Sequence, residues 1–181
     1  MNQIAQQLKE RNIAEYLIYM WQEEDLLRAN RCDMEQIEQH VIARYPEEQR
    51  PDLREWYTNL LTMMVEEGVR EKGHLQINRN VIINLTELNN RLISSPKFPF
   101  FSAAYFKALP FIVELRAKSG HKEEPELETC FEALYGMLLL RLQKKEISDG
   151  THKAMEAISN FLSMLANYYD KDQKGELNLE D

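Results

Sequence analysis

The sequence predicts an all-α fold, a single-domain bundle of about six to seven helices, on three observations. Apolar residues recur at three- and four-residue steps, as on one face of a helix, and no stretch sustains β alternation. Leu, Glu, Gln, Met, Arg and Lys dominate, residues that lose little rotamer freedom in helices. Only six Gly and six Pro among 181 residues leave little room for a turn-rich β architecture. Hydrophobic residues at 44% and charged residues at 29% suit a soluble chain able to bury a continuous core.

The first helix is expected over about Gln3–Asn30, with Ile13, Leu17, Met20, Trp21 and Leu27 on one side. A second opens at Asp33, whose carboxylate can cap it with Gln36 three residues on, and carries Met34, Ile37, Val41 and Tyr45 until "PEEQRP" breaks it. The third begins at "PDLRE", where Asp52 and Glu55 form a capping box ahead of Trp56, Tyr57, Leu60, Leu61 and Met64; Gly73 is its expected stop. The fourth, about Leu75–Leu92, steps through Ile77, Val81, Leu85, Leu88 and Leu92. "SSPKFPFFS" reads as a connection too rich in proline to be helical. A fifth helix spans about Ser102–Lys118, with Pro110 as a kink or a restart and Arg116, Lys118 and Gly120 as its C-terminal signature. The sixth runs from Pro125 to about Lys145 and the seventh from about Ser148 to Tyr169. Residues 1–169 thus form the helical domain, and 170–181 an acidic tail expected to be disordered.

Charge on apolar stripes is the first candidate for chemistry. Glu24 falls within the arc of Leu17, Met20 and Leu27; Glu67 and Glu71 fall on the third helix's stripe, and Arg141 and Lys145 on the sixth's. A buried carboxylate has to pair, bind a metal or take up a proton. An internal ion pair of Glu24 or Glu67 with Arg141, helped by Arg28, is the more economical reading than a catalytic centre, because such pairs fix helix register.

Metal chemistry has weak support. A di-metal carboxylate bundle needs two Glu-x-x-His pairs, and this chain has one, Glu71 to His74, with Gly73 inside it. The tail matches a calcium loop at Asp170, Asp172, Gly175, Leu177 and Asn178. Lys174 stands where an oxygen ligand is needed, and Asp181 where a bidentate Glu is usual. No metal and no cofactor are therefore expected. There is no Gly-rich phosphate loop and no G-x-S-x-G elbow, and Cys130 reads as a small core hydrophobe, so the chain leans away from enzymatic function.

Five of seven Phe cluster in "FPFFSAAYFKALPF": Phe98, Phe100, Phe101, Phe106 and Phe111. They either close one end of the bundle or form an apolar patch that docks a partner or a second copy. The net charge of -8, with bases interleaved among acids, argues against nucleic acid. The longest apolar runs fall short of the roughly 20 residues a membrane span needs. The start lacks a signal-peptide pattern and two distant cysteines make no framework, so the expected setting is the cytoplasm.

The stretch "IAEYLIYMWQEEDLLRA", with "LKERN" before it, resembles the opening of an uncharacterised all-helical family of Bacteroidetes bacteria, a domain of unknown function. The resemblance implies a bacterial intracellular helical domain and brings no activity and no site residue. The expected function is a non-enzymatic helical protein–protein interaction module, with a homodimer among its forms. The alternative is a small-ligand-binding or enzymatic bundle using Glu24, Glu67 and Arg141.

Overall fold

A computed structural model describes residues 2–120 and 124–178. Among these it has eight α-helices, two 3-10 turns and no strand: α1 Gln3–Arg11, α2 Ile13–Ala29, α3 Met34–His40, α4 Arg50–Glu66, α5 Gln76–Ser94, α6 Pro99–Ser119, α7 Glu126–Leu142 and α8 Asp149–Gln173. The all-α class stands, with eight helices in place of six to seven. By compactness the chain divides into two units, Met1–Val81 and Ile82–Asp181, the division falling within α5.

The extra helix comes from Asn12. Its backbone is extended (φ -157°, ψ 105°), and its side-chain oxygen accepts from the amides of Ala14 and Glu15, so one predicted helix becomes α1 and α2. An Asn side chain that offers the backbone a competing partner favours caps over helix interiors. In the first unit Leu17, Met20, Trp21, Leu27, Ile37, Ile42, Tyr57, Leu60 and Met64 are fully buried. Asp33 caps α3 as expected, accepting from Glu35 and Gln36, but α3 stops at His40 and a 3-10 turn, Ile42–Arg44, follows.

The end of α4 corrects the predicted stop at Gly73. Gly68, at φ +70°, takes the left-handed position, with its amide on Val65 O (3.2 Å) and the Val69 amide on Met64 O (2.9 Å). These two bonds close a Schellman motif one turn earlier than predicted. Its start also differs: α4 opens at Arg50 after a second 3-10 turn, Glu47–Gln49, so Asp52 lies in the first turn and does not cap.

In the second unit "PFFS" is helical, because Pro99 occupies the first helical position, where a missing amide costs nothing. Pro110 is accommodated within α6, which ends at Gly120 (φ 77°) as expected. Phe101 packs against Phe161 (5.7 Å between ring centroids) and Tyr168 (5.6 Å), a core joined by Ile112, Phe131, Ile158 and Leu165. Ser148 caps α8, which continues past Tyr169 to Gln173. Asp170 and Asp172 are thus helical, paired with Lys174 and Arg91, and do not form the loop that the calcium pattern requires; Asp181 lies outside the described residues.

Two glycine substitutions are expected to act in opposite directions. Gly68→Ala should cost about 1 kcal/mol by placing a Cβ in the left-handed region. Gly136→Ala, within α7 and with nothing within 4 Å of the added Cβ, should gain about 0.5–1 kcal/mol. Urea denaturation of both variants checks the signs.

Candidate functional site

Glu24 is fully buried, and its surroundings are basic and amide-rich. One carboxylate oxygen accepts from the Leu75 amide (2.9 Å) and from Asn78 Nδ2 (2.7 Å); the other faces His74 Nδ1 at 2.6 Å. Arg28, one turn along α2, approaches to 3.9 Å. Leu75 to Asn78 is the opening turn of α5, where unsatisfied amides and the helix dipole favour negative charge. Glu67 adds a second acceptor at the same end, taking the Gln76 amide at 2.6 Å. Two glutamates, Glu24 on α2 and Glu67 just past the end of α4, therefore cap α5.

The connection between α4 and α5 is strapped down around this carboxylate. His74 stacks on Trp21 with ring centroids 4.0 Å apart and planes within 10°. The Arg28 guanidinium donates to the carbonyls of Val69 (3.1 Å) and Gly73 and to Asp25 (2.9 Å). Every oxygen of Glu24 is engaged with donors of its own unit. Chemically this is a structural cap: Oε1 takes two donors from the start of α5, and Oε2 takes His74.

The predicted charged positions differ in burial. Only Glu24 is buried; Glu67, Glu71, Arg141 and Lys145 are all exposed. Glu71 and His74 lie in the connection after α4, since that helix ends at Glu66 and Gly68 turns the chain away. Arg141 is in the last turn of α7, and Lys145 lies beyond its end, where the chain turns with Lys144 at φ 54°. Within its own unit Glu24 is met by His74 at 2.6 Å and approached by Arg28 at 3.9 Å. Sequence reading missed Asn78, although its position three residues from both Leu75 and Val81 puts it on the α5 stripe.

A second buried carboxylate, Glu23, sits one residue earlier on α2 and has a different fate. It is 7% exposed, the hydroxyls of Tyr19 and Tyr57 interact with it, and one of its oxygens, Oε2, has no hydrogen-bond partner. Burial pushes its carboxyl above the ordinary value near 4.5, the two tyrosines opposing that shift. Burial likewise raises both tyrosines, aided by the neighbouring Glu23 charge. Asn2 Nδ2 donates to the Tyr19 hydroxyl at 2.8 Å. Tyr19 and Asn2 also line a cleft of about 580 Å³ between the start of α1, Tyr45 and the first half of α4.

The phenylalanine patch splits into two roles. Phe101 is buried, and Phe98 is half-buried with its ring 5.2 Å from that of Tyr168. Phe100 and Phe106 face out at 82% and 57% exposure, joined by Val113 at 55%.

A family model described as "Domain of unknown function (DUF4924)" matches residues 2–176. The chain belongs to the DUF4924 family. No curated protein and no solved structure matches it. The DUF4924 match spans the Glu24 cap, the Glu23 cleft and the outward face of α6. Among the described residues no group of three or more His, Cys, Asp or Glu side chains is placed to hold a metal, and no single helix is long and apolar enough to cross a membrane.

For Glu23, the sign of the pH effect follows from its raised carboxyl. The folded state holds the proton to higher pH than the unfolded state, so folding stability falls as pH rises from about 4.5 through the raised folded value. Glu23→Gln should therefore be more stable than wild type at pH 7, and the gap should close on acidification toward pH 4. Thermal melts of both proteins across that range measure it.

Proposed function

We propose that this chain is a helical protein-interaction module that docks through the outward face of α6 onto a second copy of itself. The carrying observation is how the exposed residues of α6 are distributed about Pro110. At 100° per residue, Ala103, Phe106, Pro110, Val113 and Ala117 share an arc of about 80°, and Phe100 extends it at the N-terminal end. All six are exposed. Lys107 and Glu114, also exposed, flank this arc on one side.

The pattern is close to symmetric under reversal of the chain. Ala103 and Ala117 lie seven residues either side of Pro110, and Phe106 and Val113 lie four before and three after it. Lys107 lies three before and Glu114 four after. Two copies of α6 packed antiparallel and crossing at Pro110 bring Phe106 of each against Val113 of the other. The same twofold axis sets each Lys107 beside the other's Glu114. That is an isologous interface, self-complementary in both shape and charge. Glu114 already pairs with Lys118 along α6, an exposed contact that is cheap to share.

The helix is about 31 Å long. One such face falls below the roughly 800 Å² per partner of a standard interface, so the expected association is micromolar rather than nanomolar. Sedimentation velocity over about 5–300 µM should show a reversible monomer–dimer equilibrium. Phe106→Ser with Val113→Ser should abolish it, and Lys107→Glu should weaken it about tenfold by facing like charges. Adding Glu114→Lys to Lys107→Glu should restore it. A monomer throughout, or a dimer indifferent to these variants, would overturn the proposal.

A further inference from the structure

The cleft of the first unit has a composition of its own. Its walls include three aromatic rings, Tyr19, Tyr45 and Trp56, and two exposed carboxylates, Asp52 and Glu55. Among the described residues that line it there is no Lys, Arg or His. Its volume, about 580 Å³, is that of a small-molecule site. Trp56 is 8% exposed, and its indole Nε1 has no hydrogen-bond partner. One turn below Tyr19 on α2 lies Glu23, with Oε2 unpartnered.

The rings and carboxylates favour one class of ligand, and the unpartnered Trp56 indole N–H, a donor, adds a place for an acceptor on it such as a hydroxyl oxygen. Aromatic faces attract a cation through the ring quadrupole, most strongly where water is displaced. The Glu23 carboxylate is met only by hydroxyls of Tyr19 and Tyr57, so its field is poorly neutralised in surroundings of low dielectric. A neutral polyol could bond the amide side chains of the cleft but would gain nothing from that field. A small metal ion is held best by several converging ligands, and among the described residues no group of three or more His, Cys, Asp or Glu is placed to hold one. A weakly hydrated cation with an apolar surface uses both the rings and the carboxylates. We propose that this cleft binds a small organic ammonium ion, its head against Tyr19, Tyr45 and Trp56 and its charge met by Asp52 and Glu55, with Glu23 behind the tyrosine wall.

The two tryptophans make the test direct. Trp21 stacks on His74 in the core, whereas Trp56 lines the cleft, so two indole N–H resonances report two places. The isotope-labelled full chain is titrated with choline chloride to about 20 mM, and in parallel with sodium chloride and with the uncharged carbon isostere of choline. Choline should move the Trp56 indole signal and the Tyr19 and Tyr45 amides along a saturating curve, with the Trp21 signal still. The isostere should bind at least tenfold more weakly, as should choline to the chain carrying Asp52→Asn and Glu55→Gln. Both substitutions lie on exposed positions, and unchanged resonances elsewhere verify the fold. The proposal fails if Trp56 does not respond to choline, if the isostere or sodium chloride moves it equally, or if the double variant binds as wild type does.

Discussion

One carboxylate, Glu24, holds the first unit in register. Burying it would cost several kcal/mol if it were alone. Instead it receives the Leu75 amide, the Asn78 side chain and His74, with Arg28 close by. The donors come from a helix start that needs an acceptor, so one contact offsets two penalties: an uncapped helix and an unpaired charge. Its consequences spread outward. Arg28 is held on the carbonyls of Val69 and Gly73, and His74 is stacked on Trp21, so the connection from α4 into α5 is tied to α2 at both points.

Glu23 and Glu24 show how one residue of helical rotation separates structure from potential function. About 100° apart, they face different neighbours. Glu24 meets a helix N-terminus and bases, and is satisfied. Glu23 meets tyrosines and keeps an oxygen without a partner beside an aromatic cleft. A charge that the fold surrounds with donors is held for structure, whereas one that it leaves incomplete is where a ligand has something to gain. On α6 the same logic applies to apolar surface: Phe101 is used by the core, while Phe100 and Phe106 are left to water.

Much of the fold was legible because it rests on local signals. The cap at Asp33, the glycine stop at Gly120 and the α5 stripe from Val81 to Leu92 all depend on residues within one or two turns, although Ile77, expected on that stripe, is exposed. Misreadings arose where local signals compete. Asn12 can sit inside a helix or cap one, and two glycines five residues apart, Gly68 and Gly73, both offer a stop to α4. Choosing Gly68 removes Glu71 and His74 from the helix and dissolves the predicted charged stripe. The partner of Glu24 was illegible for a different reason. Leu75 contributes a backbone amide, which no side-chain pattern records, and it lies 51 residues away.

The claim that Glu24 caps α5 is tested most directly by amide hydrogen exchange at Leu75. In wild type this proton is protected by its bond to the carboxylate. In Glu24→Leu, which keeps the volume and removes the acceptor, exchange at Leu75 and the next amides of α5 should accelerate about a hundredfold, the scale of a buried donor left unsatisfied. Amides of α8 should keep their wild-type rates. Unchanged protection at Leu75 in the variant would contradict the account.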